Sequence, residues 1–119
     1  MLGHGTIDGR SVVSSSLLNQ AFTGSPANPS YGLTFWLNRP AGFLAREADI
    51  ENLLELKWQQ ASWRGVCICK SAPPDMVVGL GSHYQRLFII PSMNAVIVRQ
   101  SSADAKFSDA QFLRLVLGR

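Results

Sequence analysis

No apolar run in this chain approaches the ~20 residues that a helix needs to cross a bilayer. The opening residues Met1-Leu2-Gly3-His4-Gly5 carry no charged stretch followed by an apolar one, so no secretion signal is visible. Cysteine is scarce, with only Cys67 and Cys69, spaced C-x-C. A bridge that short is strained, and two ligands do not close a structural zinc site. Both therefore read as small buried hydrophobes. Eleven Lys and Arg are scattered from Arg10 to Arg119 and leave a net charge of +3 without a run or a basic helix face. A phosphate-binding footprint needs clustered cations, so nucleic acid is not an expected partner. The acidic residues show no paired-carboxylate spacing. Asp49, Asp104 and Asp109 stand near loops or helix starts, where solvation or dipole complementation explains them. No metal or cofactor is expected.

What remains is a chain of 119 residues, 46% hydrophobic and 16% charged, which suits one folded domain with a real core. Ser14-Ser15-Ser16 offers N-cap oxygens ahead of Leu17, Leu18, Ala21 and Phe22, one face of a short helix that Gly24 ends. Gly24 to Ser30 carries turn chemistry. Tyr31-Gly32-Leu33-Thr34-Phe35-Trp36-Leu37 reads as a buried strand. Asp49 caps an expected helix over Ile50–Ala61, and Arg64–Lys70 is a possible short strand. Trp36, Trp58 and Trp63 read as core.

The clearest element is a hairpin, Tyr84–Ile90 and Ala95–Arg99, around Pro91-Ser92-Met93-Asn94. Both parities of its strands are apolar, which implies helices above and below the sheet. A last helix starts with Ser108 and Gln111 as a capping box and Phe107 with Phe112 as a hydrophobic staple, and ends at Gly118. The expected fold class is α/β of the α+β kind: an antiparallel sheet flanked by helices.

Three pieces, in order, carry a resemblance. Gly5-Thr6-Ile7-Asp8-Gly9-Arg10-Ser11-Val12-Val13-Ser14 is similar to a "G-x-x-x-G-x-x-V-x-S" segment, and Tyr31–Leu37 to a "YGLGWW" strand. Gly81-Ser82-His83-Tyr84-Gln85-Arg86-Leu87-Phe88-Ile89-Ile90-Pro91 resembles "G-x-x-G-Q-R-x-x-V-x-P", followed by a hydrophobic strand and a terminal helix. Together they resemble the C-terminal part of the β-lactamase/DD-peptidase superfamily of serine hydrolases, in its class C β-lactamase, esterase and 6-aminohexanoate-dimer hydrolase branches. On this reading residues 1–119 form a single C-terminal segment of the serine β-lactamase/transpeptidase-like fold. Residues 38–74 are an insert without a counterpart. Met1 falls where the family is mid-helix, so an internal start is expected.

The family's chemistry needs a Ser-x-x-Lys pair on a helix, where one turn brings the amine to the hydroxyl. This sequence contains none. The nearest pattern, Cys67-Ile68-Cys69-Lys70, reads as strand, where positions i and i+3 point to opposite faces. By spacing back from Pro91 the family's Lys/His-Thr-Gly triplet falls on Gly79-Leu80-Gly81, which keeps only the last glycine. The resemblance makes Ser82 a backbone amide donor to an oxyanion hole, a role that needs no particular side chain. It makes Gly79, Leu80, Gly81 and His83 substrate-binding.

The expected function is thus a fragment of a hydrolase that cleaves an ester or amide through an acyl-enzyme. The small-molecule substrate and a missing N-terminal hydrolase segment are its partners, and the chain alone is inactive. The intact protein's compartment stays open between periplasm and cytoplasm. The alternative is a stand-alone non-catalytic binding domain derived from the same fold.

Overall fold

The computed structural model describes residues 2–39, 42–50, 63–102 and 107–119. Ile7 and Arg10 bracket Asp8-Gly9, and both of those residues take left-handed backbone, φ 47° and 76°. A two-residue type I′ turn demands this combination. It closes β1 (Thr6–Ile7) antiparallel on β2 (Arg10–Ser11), a hairpin that sequence reading had passed over although Asp-Gly is its signature. The helix α1 (Ser15–Ala21) follows, with Ser14 at the N-cap but no capping bond from its side chain. Leu18, Ala21 and Phe22 are partly buried, while Leu17 faces solvent.

The expected strand Tyr31–Leu37 shrinks to β3 (Trp36–Leu37). The Gly32 N–H donates to the Phe35 carbonyl at 2.9 Å, and Thr34 is left-handed at φ 68°. The chain doubles back, so that Tyr31 bridges Trp36 and their rings lie 4.7 Å apart. Trp36 in turn stacks at 5.1 Å on Trp63, and both are buried, as expected. Local aromatic packing wins over an extended ladder.

Strands β4 (Arg46–Glu47) and β5 (Val66–Cys67) pair in parallel. The strand expected over Arg64–Lys70 stops early because Asn38 captures the next peptide groups: Ile68 and Cys69 N–H both donate to Asn38 Oδ1, at 2.8 and 3.0 Å. The helix expected over Ile50–Ala61, and Trp58 with it, lies outside the described residues apart from Ile50. The described residues of the 38–74 stretch reach the core. Ile50, Trp63, Val66, Ile68, Cys69 and Ala72 all belong to the main core.

Four antiparallel strands form the principal sheet, in the order β3-β6-β7-β8, with β6 (Val77–Gly81), β7 (Gln85–Ile90) and β8 (Ala95–Arg99). A 3-10 turn over Pro91–Met93 and left-handed Asn94, φ 48°, join β7 to β8. The final helix α2 (Asp109–Leu117) begins as its sequence signals: Ser108 Oγ accepts the Gln111 N–H at 3.3 Å, and the Phe107 and Phe112 rings lie 5.6 Å apart.

Strand parity divides the sheet into two faces. Val78, Phe88 and Ile90 pack with Leu113 of α2, and burying each such side chain contributes about 1.5–3 kcal/mol. The opposite face buries Val77, Ile89 and Leu37 beneath Leu2, Phe22 and Phe35. Further along that face Leu87, Val96 and Val98 are 36%, 51% and 61% exposed. Two-sided burial, expected from the apolar parities, therefore holds only near β3. The described architecture is a small α+β domain with two antiparallel sheets, the short parallel β4–β5 pair and two helices.

Candidate functional site

The residues singled out from sequence gather at one end of the sheet. Gly79, Leu80 and Gly81 do not lead into β7 but form the second half of β6, with Gly79 opposite Leu87 and Gly81 opposite Gln85. Ser82, His83 and Tyr84 make the turn between the strands. His83 and Tyr84 are both left-handed, φ 57° and 58°. No Gly, Asn or Asp stands at Ser82, His83 or Tyr84, so the sequence gives this turn no ordinary signal.

β3 reaches only the start of β6, pairing Leu37 with Val77 and Trp36 with Val78. Past Val78 the outer edge of β6 meets no described strand, so the outward peptide groups of Gly79–Gly81 have no backbone partner among the described residues. Neither glycine has a positive φ. A Cβ on Gly79 would meet only Leu87 Cβ at 3.7 Å, an ordinary contact. The conformation does not require glycine there; its effect is a bare strand. Above it lies an open depression of about 300 Å³ lined by Gly79, Gly81, Gln85, Leu87, Val98 and Gln100. Leu80 lines its edge as well. Ser82 and His83 are exposed beside it, and the Ser82 N–H has no acceptor among the described residues.

The turn is held from below. Arg99 Nη1 donates to the Tyr84 carbonyl at 2.6 Å, Nη2 to Ser101 Oγ at 3.2 Å, and its guanidinium lies 3.6 Å over the Phe107 ring. Gln85 and Ser101 exchange hydrogen bonds, Ser101 N–H to Oε1 and Nε2 to the Ser101 carbonyl. Arg86, fully enclosed, donates through Nε to both carboxylate oxygens of Asp109, at 2.9 and 3.1 Å. Asp109 is thus a buried ion-pair partner rather than a solvated helix-start charge. Arg86 shares the inward parity of Phe88 and Ile90, and that parity was the available signal.

Cys67 and Cys69 are buried and free, as expected. Burial, then the nearby Glu47 carboxylate and Cys69, pushes the Cys67 thiol up to about 11. A thiol protonated at neutral pH is no nucleophile. Glu47 itself accepts the Lys70 N–H at 2.6 Å and pairs with Arg114, whose guanidinium it holds above its ordinary value through a hydrogen bond and its charge.

A second cleft, about 460 Å³, opens between α1 and the start of β6 beside Leu18, Phe22, Arg39, Asp75 and Pro91. None of Gly79, Leu80, Gly81, Ser82 or His83 lines it. Among the described residues no group of three His, Cys, Asp or Glu could hold a metal ion, and no helix is long and apolar enough to cross a membrane. Comparison with family models, with curated proteins and with solved structures finds no match.

Proposed function

We propose that this chain is the C-terminal part of a β-lactamase-related serine hydrolase, whose intact form cleaves an ester or amide through an acyl-enzyme. In this reading β6 flanks the substrate with its open Gly79–Gly81 edge. The Ser82 N–H donates to the oxyanion as the acyl carbonyl becomes tetrahedral. The serine and its base come from a polypeptide segment N-terminal to this one, and the chain by itself is catalytically silent.

The observation that carries the reading is the backbone of Tyr84. The pattern G-x-x-G-Q-R places its second glycine at this position, and the residue is left-handed at φ 58° although it is a tyrosine. A backbone that glycine adopts freely and tyrosine only under strain fits a motif whose glycine has been replaced. The two glycines of the first pattern, Gly5 and Gly9, lie at φ 90° and 76°, which supports the same reading. Loss of the Lys/His-Thr side chains removes the cation that holds a β-lactam carboxylate, so uncharged esters or amides are the favoured substrates.

Sequencing the DNA directly upstream tests this. An in-frame Ser-x-x-Lys is expected, and the protein expressed from the extended frame should react with a fluorophosphonate. In that protein Ser82→Pro, which deletes the donor N–H, should slow acylation by about 10²–10³-fold, while Ser82→Ala stays close to wild type. No such frame, or a Ser82→Pro variant as fast as Ser82→Ala, sinks the proposal.

A further inference from the structure

The turn between β6 and β7 spans residues 82–85 and closes on a long hydrogen bond, the Gln85 N–H donating to the Ser82 carbonyl at 3.4 Å. Its two central residues, His83 and Tyr84, both hold left-handed backbone, φ 57° and 58°, a combination that Asn-Gly or Gly-Gly adopts without strain. For a histidine followed by a tyrosine each angle is unfavourable by itself. Contacts from outside the turn must therefore hold it, and one side chain is placed to do so. Arg99 lies on β8 opposite Arg86, and its Nη1 donates to the Tyr84 carbonyl at 2.6 Å. Hydrogen bonds from a charged donor are among the strongest a protein makes. The guanidinium is itself fixed: it lies 3.6 Å over the Phe107 ring, and Nη2 donates to Ser101 Oγ at 3.2 Å.

We propose that Arg99 is a positioning residue: by gripping the Tyr84 carbonyl it keeps this turn left-handed and so fixes where the Ser82 N–H stands. The inference rests on the hydrolase reading, in which that N–H meets the oxyanion. Arg99 does not touch the reacting atoms and acts through the backbone of the turn. Relaxing Tyr84 to an ordinary φ turns its carbonyl away from Arg99 and draws the Gln85 N–H off the Ser82 carbonyl. Gln85 is pinned on its side chain by Ser101, so the end of β7 stays in place and the freedom appears at residues 82–84. An oxyanion donor displaced by about 1 Å loses much of its effect, because it works only when aimed at the developing charge.

Two measurements separate this inference from the reading beneath it. In the chain alone, Arg99→Met should move the Tyr84 HN–Hα coupling away from its left-handed value. It should also speed solvent exchange of the Gln85 N–H at least about tenfold, with circular dichroism unchanged. Should Arg99→Met fail to fold, Arg99→Lys keeps the charge but not the planar fork, and carries the same comparison with smaller effects. In the protein extended by its upstream Ser-x-x-Lys, Arg99→Met should lower kcat for an ester about 10–100-fold. KM should stay unchanged, since the donor acts only in the transition state. Tyr84→Gly supplies a readout that lost stability would not give: glycine holds the turn without help, so Arg99→Met/Tyr84→Gly should recover most of the rate. A chain whose turn keeps its coupling and its protection in Arg99→Met overturns the inference, whatever the extended protein does. So does a relaxed turn with kcat unchanged while Ser82→Pro is slow. A Ser82→Pro variant as fast as Ser82→Ala instead sinks the hydrolase reading, and the role of Arg99 with it.

Discussion

Asn38 and Cys69 hold each other at both ends of one side chain: Asn38 Nδ2 donates to the Cys69 carbonyl at 2.9 Å, and Oδ1 accepts the Cys69 N–H at 3.0 Å. The same amide reaches Ile68 N–H and the carbonyls of Ala72 and Pro73. One fully buried polar residue at the end of β3 thereby supplies partners to a loop that no strand could serve.

Replacing Asn38 by Ala leaves two buried N–H groups without a partner, and each costs about 1–3 kcal/mol. A loss of about 2–4 kcal/mol in urea unfolding is expected. Asn38→Asp keeps the acceptor and loses the donor, and should also destabilise the chain. A change under about 0.5 kcal/mol for Asn38→Ala would show that the loop is served some other way.

The Arg86–Asp109 pair fastens α2 to the sheet from inside the core. Breaking a buried pair by removing one partner costs about 3–5 kcal/mol, whereas an apolar replacement of both can be neutral. Asp109→Ala should therefore be much worse than the double variant Arg86→Met/Asp109→Leu. Equal losses in the two proteins would contradict the buried-pair account.

Backbone strain in the β6–β7 turn predicts a gain. His83 is exposed and left-handed. Glycine at that position relieves about 1 kcal/mol, which raises the melting temperature by several degrees in a domain of this size. Tyr84→Gly gains similarly but loses the ring beneath Arg86, 5.2 Å away, so it should come out near neutral. A melting temperature lowered by His83→Gly would refute the turn geometry.

Alkaline pH acts through Cys67. Its thiol titrates near 9.0 when unfolded and at about 11 when folded, because burial opposes the thiolate. A raised folded value means that stability is fully present below the unfolded value and is lost as pH climbs through 9 toward 11. Urea midpoints should fall across that window, and Cys67→Val should flatten the slope. At pH 8 the native thiol should resist iodoacetamide.

Elements with a local cause could be read from the sequence. Ser108, Gln111, Phe107 and Gly118 define α2 by contacts within one or two turns of chain, and the apolar runs Tyr84–Ile90 and Ala95–Arg99 around Pro91-Ser92-Met93-Asn94 define the hairpin. Tyr31–Leu37 misled because its strand propensity was outweighed by a turn that stacks Tyr31, Trp36 and Trp63. The candidate site was legible as a motif but not as geometry. Nothing in Gly79–Tyr84 announced a turn made by two non-glycine residues in left-handed conformation.

What the sequence determined alone is the antiparallel hairpin, the closing helix and the absence of a Ser-x-x-Lys spacing, since each follows from residue type and short spacing. Tertiary structure decided which face of the sheet closes, that Asn38 and Arg86 are buried, and that β8 is the outermost of the described strands. Those outcomes depend on contacts between residues tens of positions apart, where packing and hydrogen-bond satisfaction override any local preference.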